Sequence, residues 1–192
     1  MHSENNCKGG NRMQKKVLIL SASLRNGSNS HALAQQFAKG AQEAGHEVEL
    51  ISLAGKEIGF CRGCLFCQTS GHCVMHDDAE QIVLEKMLHA QVLVFATPIY
   101  FYEMSGLMKT LLDRSNPLYT LDYAFREIYL IATAAEQEEE TWKRAAAGLQ
   151  GWIECFPKAA YVKTVFGGGV TDPDDILTSA AMNRAYEAGT MV

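Results

Sequence analysis

Five short apolar segments of this chain alternate with five segments of helical periodicity, and this alternation restricts the possible folds more than any other feature. The strand-like segments are residues 16–22, 46–52, 91–97, 127–133 and 161–166. The helical segments are residues 33–44, 79–87, 104–114, 142–153 and 176–188. Most of the strand-like segments are apolar throughout, as expected of strands that are buried on both faces. Because each parallel crossover needs a helix, we predict an α/β fold with a five-stranded parallel sheet and helices on both faces.

Length and charge narrow the class of protein further. A chain of 192 residues, with 47% hydrophobic and 20% charged residues, fits one globular domain. Its net charge of −5 argues against nucleic acid as a partner. The apolar runs are much shorter than the roughly 20 residues that span a bilayer, so no membrane segment is predicted. Residues 1–15 lack an apolar centre and are predicted to form a flexible arm before a domain at 16–192, in the cytoplasm.

Four of the six cysteines lie within a long segment, residues 53–77, that shows neither helical nor strand periodicity. Their spacing is C-x2-C-x2-C-x5-C, formed by Cys61, Cys64, Cys67 and Cys73. Three compactly spaced thiolates can hold one corner of a [4Fe-4S] cluster, and the fourth can close the site. Structural zinc sites more often use two separated C-x2-C pairs. The alternative is four small buried thiols without a metal.

A polar segment between the first strand and the first helix is a candidate anion site. It reads Ser21-Ala-Ser-Leu-Arg-Asn-Gly-Ser-Asn-Ser and contains four serines and one arginine. A helix N-terminus offers free N–H groups and a positive dipole end, so a phosphate monoester could bind here. Neither G-x-G-x-x-G nor a Walker loop occurs. An ordinary polar turn with a capping serine remains the alternative.

Three aromatic residues follow the third strand, whose predicted end is Pro98. The segment Thr97-Pro-Ile-Tyr-Phe-Tyr can hold a planar ring by stacking and by hydrogen bonds to the ring edge. The alternative is that these side chains only cover the core. Ligands of such sheets bind beyond the carboxyl ends of the strands, where the two segments would be neighbours. A flat ring that carries a phosphate describes FMN.

These segments together resemble a known family. The segment Ser21-Ala-Ser-Leu-Arg-Asn-Gly-Ser-Asn, the four cysteines with Asp77-Asp78, and Thr97-Pro-Ile-Tyr with Lys109 and Asp113-Arg114 are similar to the NADPH-dependent FMN reductase and iron-sulfur flavoprotein group over residues 16–189. The resemblance implies a three-layer flavodoxin-like fold with strand order 2-1-3-4-5. It also implies bound FMN, a homodimer or homotetramer, and electron transfer between NAD(P)H or a reduced carrier and an acceptor.

The resemblance also implies which residues contact the flavin. The phosphate contacts would be Ser21, Ser23, Arg25, Ser28, Asn29 and Ser30. The ring contacts would be Pro98, Ile99, Tyr100 and Phe101. Thr133, Ala134 and Gln137 would approach the ribityl chain or the ring edge. The family more often has Gly and Pro where this chain has Ala22 and Leu24, which affects the backbone of the loop rather than the anion site.

The expected function is that of an FMN-containing oxidoreductase, with NAD(P)H as co-substrate and a small molecule or a protein as electron acceptor. It would be a flavin or quinone-type reductase, or it would transfer electrons as an iron-sulfur flavoprotein does. The family also contains flavin reductases that keep a similar cysteine pattern without a cluster, so both states of the cysteines stay open. The alternatives are a flavodoxin-type electron carrier without enzymatic activity and a phosphate-binding regulatory domain without redox chemistry.

Overall fold

The structure is a computed structural model that describes residues 13–192. Residues 1–12 of the predicted arm, with Cys7, lie outside the described residues. The strands are β1 (Lys16–Ser21), β2 (Glu47–Ser52), β3 (Val92–Tyr100), β4 (Glu103–Met104), β5 (Glu127–Thr133) and β6 (Ala160–Gly167). The helices are α1 (Asn29–Glu43), α2 (Cys67–Ser70), α3 (Asp78–Gln81), α4 (Gly106–Arg114), α5 (Lys143–Ile153) and α6 (Ala181–Thr190).

Five of the strands form a parallel sheet in the order β2-β1-β3-β5-β6. In the numbering of the five predicted strands this order is 2-1-3-4-5, so the predicted fold class is confirmed. The sheet has one additional strand, because the two-residue β4 pairs antiparallel with the end of β3. The order places β1 and β3 side by side, and their helical connections leave toward opposite faces. That point is the switch in topology at which α/β sheets bind ligands.

Two apolar cores lie on the two faces of the sheet. Successive side chains of a strand point to opposite faces, so an entirely apolar strand contributes to both cores. One core packs α4 and α5 against Leu18, Leu20, Leu93, Phe95 and Leu130. The other packs α1 and α6 against Val17, Ile19, Val92, Val94 and Ile131. No helix of residues 13–192 is both long and apolar enough to cross a membrane.

Two glycines allow α1 and α6 to pack closely. A Cβ atom added to Gly40 would stand 2.1 Å from the carbonyl oxygen of Tyr186, and one added to Gly189 would stand 2.1 Å from that of Phe37. Both neighbours are backbone atoms of the facing helix, which cannot move away as a flexible side chain can. The contact between the two helices therefore requires glycine at both positions.

Three predicted elements differ in extent or regularity from those of the structure. The third strand does not end at Pro98 but continues to Tyr100. This is possible because β1 pairs with β3 only as far as Ala96, so the missing N–H of proline breaks no bond to β1. The second helix is not regular, since α3 passes into a π-helical segment, Ile82–Lys86, and a 3₁₀ turn. The last helix begins at Ala181, after a separate 3₁₀ turn at Asp175–Thr178.

Candidate functional site

A cavity of about 490 Å³ opens at the carboxyl ends of the parallel strands. The loops after β1, β3, β5 and β6 form its walls. Its lining residues are Ser23, Arg25, Gly27, Ser28, Asn29, Ser30, Pro98, Ile99, Tyr100, Phe101, Tyr102, Thr133, Ala134, Ala135, Glu136, Val170 and Thr171. A volume of this size lies within the usual range for a bound small molecule or cofactor.

The loop after β1 places hydroxyl groups and one cation around the start of α1. Ser28 is the N-cap of α1, and its Oγ accepts a hydrogen bond from the backbone N–H of His31 (3.2 Å). The hydroxyls of Ser28 and Ser30 lie 3.3 Å apart. Arg25 is on the same wall and donates one N–H to the carbonyl oxygen of Thr171 (2.6 Å). Hydroxyls, a guanidinium and a helix N-terminus are the groups that bind a phosphate monoester.

Two predicted phosphate contacts use their side chains elsewhere. Asn29 donates from Nδ2 to the carbonyl oxygen of Asp172 (3.0 Å), and its Oδ1 accepts from the N–H of Ile176 (3.2 Å). Its amide therefore connects the start of α1 to the loop after β6. Ser21 is fully buried, lies outside the cavity lining, and has its hydroxyl 3.1 Å from Nδ1 of His31.

The opposite wall is an aromatic turn between β3 and β4. Phe101 and Tyr102 both have positive φ angles, +52° and +66°, which are uncommon for bulky residues. The ring of Phe101 is 99% exposed. The hydroxyl of Thr97 accepts from the N–H of Ser105 (2.9 Å) and thereby ties the two ends of the turn together. The guanidinium of Arg144 lies over the ring of Tyr102, 5.4 Å from its centroid. This turn thus presents an unburied ring at the edge of the cavity.

Eleven of the thirteen predicted flavin contacts line the cavity, while Ser21 and Gln137 do not. Gln137 is exposed and lies against the loop after β6, where a Cβ atom on Gly169 would stand 2.8 Å from its Nε2. Six lining residues were not among the predicted contacts: Gly27, Tyr102, Ala135, Glu136, Val170 and Thr171. Their positions directly after predicted strands, or within predicted loops, would have suggested them.

The loop after β6 contributes a wall because its own acidic residue holds it in place. The backbone N–H groups of Thr171 and Asp172 both donate to Oδ2 of Asp175, at 2.9 and 2.7 Å. These two bonds hold the pKa of the Asp175 carboxyl below its usual value. Arg25 and Asn29 bond the same loop from the side of α1, through the carbonyl oxygens of Thr171 and Asp172.

The four cysteines of the predicted cluster line one pocket. Cys61 and Cys64 are exposed, Cys73 is half-buried and Cys67 is buried, while Cys155 lies elsewhere on the surface. Burial raises the pKa of the Cys67 thiol, and the neighbouring charge of Cys73 raises it further. Across residues 13–192, no three Cys, His, Asp or Glu side chains are arranged to hold a single metal ion. The pocket shares no lining residue with the larger cavity.

An ion pair lies against the cysteine pocket. The guanidinium of Arg114 bonds both carboxylate oxygens of Asp77, at 2.6 and 2.8 Å, and the Arg114 side chain is 1% exposed. Burial alone would raise the pKa of the Asp77 carboxyl. The hydrogen bonds from Arg114 and from the N–H of Gly59 outweigh burial and hold that pKa below its usual value.

Comparison with known proteins identifies the family. A sequence model described as NADPH-dependent FMN reductase matches residues 15–158. An iron-sulfur flavoprotein of Methanocaldococcus jannaschii is 40% identical over 103 residues, which are 54% of this chain and 53% of that protein. An iron-sulfur flavoprotein of Archaeoglobus fulgidus is 38% identical over 111 residues, 58% of this chain and 54% of that protein. The chain thus spans about half the length of these curated relatives.

Among solved structures, an NAD(P)H:quinone oxidoreductase from Methanothermobacter marburgensis superposes with a TM-score of 0.74 and 20% identity, covering 93% of this chain and 96% of that one. At this identity the likeness concerns the fold. The family match covers three of the four loops that form the cavity and all four cysteines of the pocket. This chain belongs to the NADPH-dependent FMN reductase family.

Proposed function

We propose that this protein is an FMN-dependent oxidoreductase that uses NAD(P)H as its electron donor. The observation that carries the proposal is the single cavity that joins a serine-rich helix N-terminus to an exposed aromatic turn. One wall suits a phosphate and the other suits a planar ring, so the residues present fit FMN. When bound, the flavin supplies the redox chemistry by accepting a hydride and passing on one or two electrons.

The chain's own residues bind and orient the cofactor in this proposal. Ser23, Arg25, Ser28 and Ser30 hold the phosphate through hydroxyls and one guanidinium, and Asn29 contributes backbone because its side chain is engaged. The ring lies against Pro98, Ile99, Tyr100 and Phe101, and the ribityl chain passes Thr133 and Ala134. Ser21 is buried outside the cavity lining, and Gln137 lies outside it on the surface, against Gly169. Because the flavin carries the reaction, we assign no side chain a catalytic role.

Anaerobic assays separate this proposal from a flavodoxin-type carrier. The purified protein is loaded with FMN, and its reduction by NADPH and by NADH is followed by the loss of flavin absorbance. Reduction and repeated turnover with a quinone or free flavin as acceptor are expected. A protein that binds FMN but is reduced by neither nicotinamide would be a carrier, and a protein that takes up no FMN would be neither.

A second candidate function concerns the cysteine pocket. We propose that Cys61, Cys64, Cys67 and Cys73 hold a [4Fe-4S] cluster that exchanges electrons with the acceptor. The four thiols fit such a group because they line one pocket. The two curated relatives above bear the name iron-sulfur flavoprotein.

Iron and acid-labile sulfide analysis of anaerobically purified protein tests the cluster. About four irons and four sulfides per chain are expected for a [4Fe-4S] site. Cys64→Ala should lose them, whereas Cys155→Ala, outside the pocket, should keep them. A parent protein without iron that still oxidises NAD(P)H would be a plain flavin reductase.

We further propose that the protein is a homodimer or homotetramer of the cytoplasm. The exposed aromatic turn supports this, because the ring of Phe101 and about half of those of Tyr100 and Tyr102 are uncovered in one chain. Sedimentation at micromolar concentration should show a species of at least twice the 21.1 kDa chain mass. A monomer at that concentration would contradict the proposal.

A further inference from the structure

The two ends of the cysteine loop lie side by side. The backbone N–H of Glu57 donates to Oδ2 of Asp78 (2.7 Å), and the N–H of Asp78 donates to the carbonyl oxygen of Glu57 (3.0 Å). One step further along, the N–H of Gly59 donates to Oδ2 of Asp77 (2.9 Å). In the sequence, all four cysteines of the pocket lie between these two backbone segments. The loop is therefore closed at its base by the chain itself.

Arg114, at the end of α4, occupies the inside of this closure. Its Nη1 donates to the carbonyl oxygen of Gly59 (2.9 Å) on the outgoing side of the loop. Its Nη2 donates to the carbonyl oxygen of Met75 (3.2 Å) on the returning side. Both nitrogens also bond Asp77, so the planar guanidinium contacts both sides at once. Lysine has a single ammonium group and cannot reproduce this two-sided geometry.

The same nitrogen also contacts one of the four sulfurs. Nη2 of Arg114 lies 3.4 Å from Sγ of Cys73, and the backbone N–H of Met75 donates to that sulfur as well (3.4 Å). Cys61 has a more distant neighbour, Nδ2 of Asn116 at 4.0 Å. Among the described residues, no other cationic side chain is hydrogen-bonded to a sulfur of the pocket. Cys73 is thus distinguished from the other three thiols by a charged donor.

We propose that Arg114 is the positioning residue of the cysteine loop: it keeps the loop formed in the protein without a cluster and directs a charged N–H donor at Cys73. The burial of its charge supports this role. Removing a guanidinium from water is costly, so such a group persists where it makes many directed bonds. Here its bonds reach two sides of a loop and a sulfur rather than a neighbouring helix. Where a cluster is bound, which rests on the proposed function, the same N–H would be a hydrogen bond to a ligand sulfur, a contact that tunes cluster potentials.

The test uses the full chain, reduced and freed of iron with a chelator, so that its outcome does not depend on a cluster. Arg114→Gln removes the charge and the two-sided contact, and Arg114→Lys keeps only the charge. Arg126→Gln is the matched control, since Arg126 also donates to backbone carbonyls but lies outside both pockets. The readouts are the cleavage rate within residues 57–77 under limited proteolysis and the labelling rate of Cys73 relative to exposed Cys64.

In the parent, Cys73 should be labelled more slowly than Cys64, and the loop should resist cleavage. Arg114→Gln should raise the cleavage rate about 10-fold or more and abolish the difference between the two thiols, because local opening then costs less. Arg114→Lys should fall in between and the control should match the parent. FMN affinity, measured in parallel, should stay at the parental value because Arg114 does not line the cavity.

Parental cleavage and labelling rates in a folded Arg114→Gln protein would overturn the proposal, as would equal changes in the Arg126→Gln control. If Arg114→Gln does not fold, the decision passes to Arg114→Lys, and parental rates in that variant would overturn the proposal. If only the cluster assignment is wrong, the protein will contain no iron, but the predicted differences in cleavage and labelling between the parent and the Arg114 variants will still be seen.

Discussion

Removal of the Arg25 guanidinium is the sharpest test of where the flavin phosphate lies. Arg25 is the cationic side chain of the cavity lining, on the same wall as the hydroxyls of Ser28 and Ser30. One of its N–H groups already donates to the carbonyl oxygen of Thr171 (2.6 Å). The remaining donors can bond a phosphate oxygen. We therefore expect Arg25→Ala to weaken FMN binding by removing a charge-assisted contact.

The size of the effect follows from the exposure of the side chain. A hydrogen bond to a charged group contributes about 1.5–3 kcal/mol, and each 1.4 kcal/mol is about tenfold in affinity. Arg25 is exposed and shares its donors with Thr171, so the lower half of that range applies. The dissociation constant of FMN should rise by about 10- to 40-fold.

Fluorescence titration with two flavins isolates the phosphate. Riboflavin has the same ring and ribityl chain as FMN but no phosphate, so Arg25→Ala should leave its affinity unchanged while that of FMN falls. Arg126→Ala, an arginine outside the cavity lining, should change neither. Equal losses for both flavins would mean that Arg25 acts by holding the loop at Thr171. An unchanged affinity for FMN would refute the placement of the phosphate.

Three further predictions concern stability. Gly189→Ala should lower the melting temperature, because the added Cβ atom would meet the backbone of α1. Gly151→Ala is the control: it lies in α5 with open space around it and should raise the free energy of unfolding by up to about 1 kcal/mol. Thermal unfolding of the two variants checks both expectations. Asp77→Asn should cost about 3–5 kcal/mol at pH 7, because it leaves a buried guanidinium unpaired. Since folding lowers the pKa of Asp77, the parent should lose this contribution only as the pH falls through that lowered value, so denaturant titrations of the two proteins should converge in acid. Phe101→Gly should raise the melting temperature of the chain, because the left-handed backbone of Phe101 costs about 1–3 kcal/mol and its exposed ring makes no compensating core contact. The same variant should bind FMN more weakly or associate less, since the ring is removed.

The sequence predicts the sheet well because the strands are apolar on both faces. The run from Val17 to Leu20 would expose apolar side chains if one face of the sheet met solvent. A helical layer on each face is therefore predicted. Pro98 shows the limit of such local rules. A proline interrupts a strand only where an adjacent strand would have accepted a hydrogen bond from its N–H. Here β1 pairs with β3 no further than Ala96, so Pro98 interrupts no such bond to β1. The neighbour is set by the fold and not by the local sequence.

The site is predictable where a motif is local and unpredictable where distant segments meet. Ser28 caps α1 and lies on the cavity wall, two roles that sequence spacing already indicates. Thr171 follows a glycine-rich segment with no motif, and its loop meets the cavity where Arg25 and Asn29 bond it across 143 to 147 positions of sequence. Such contacts have no periodic or compositional signal.

Asp77 shows how one residue can satisfy both a local rule and a distant one. Its position before an apolar helical segment predicts a helix start, and its side chain does accept from the N–H of Glu80 as the N-cap of α3. The same carboxylate pairs with Arg114, 37 positions later, and accepts from Gly59 at the other side of the cysteine loop. A serine could cap the helix equally well, but it could not neutralise a buried guanidinium. The acidic residue at this cap is therefore required by the loop rather than by the helix, and the start of α3 and the closure of the cysteine loop depend on one carboxylate.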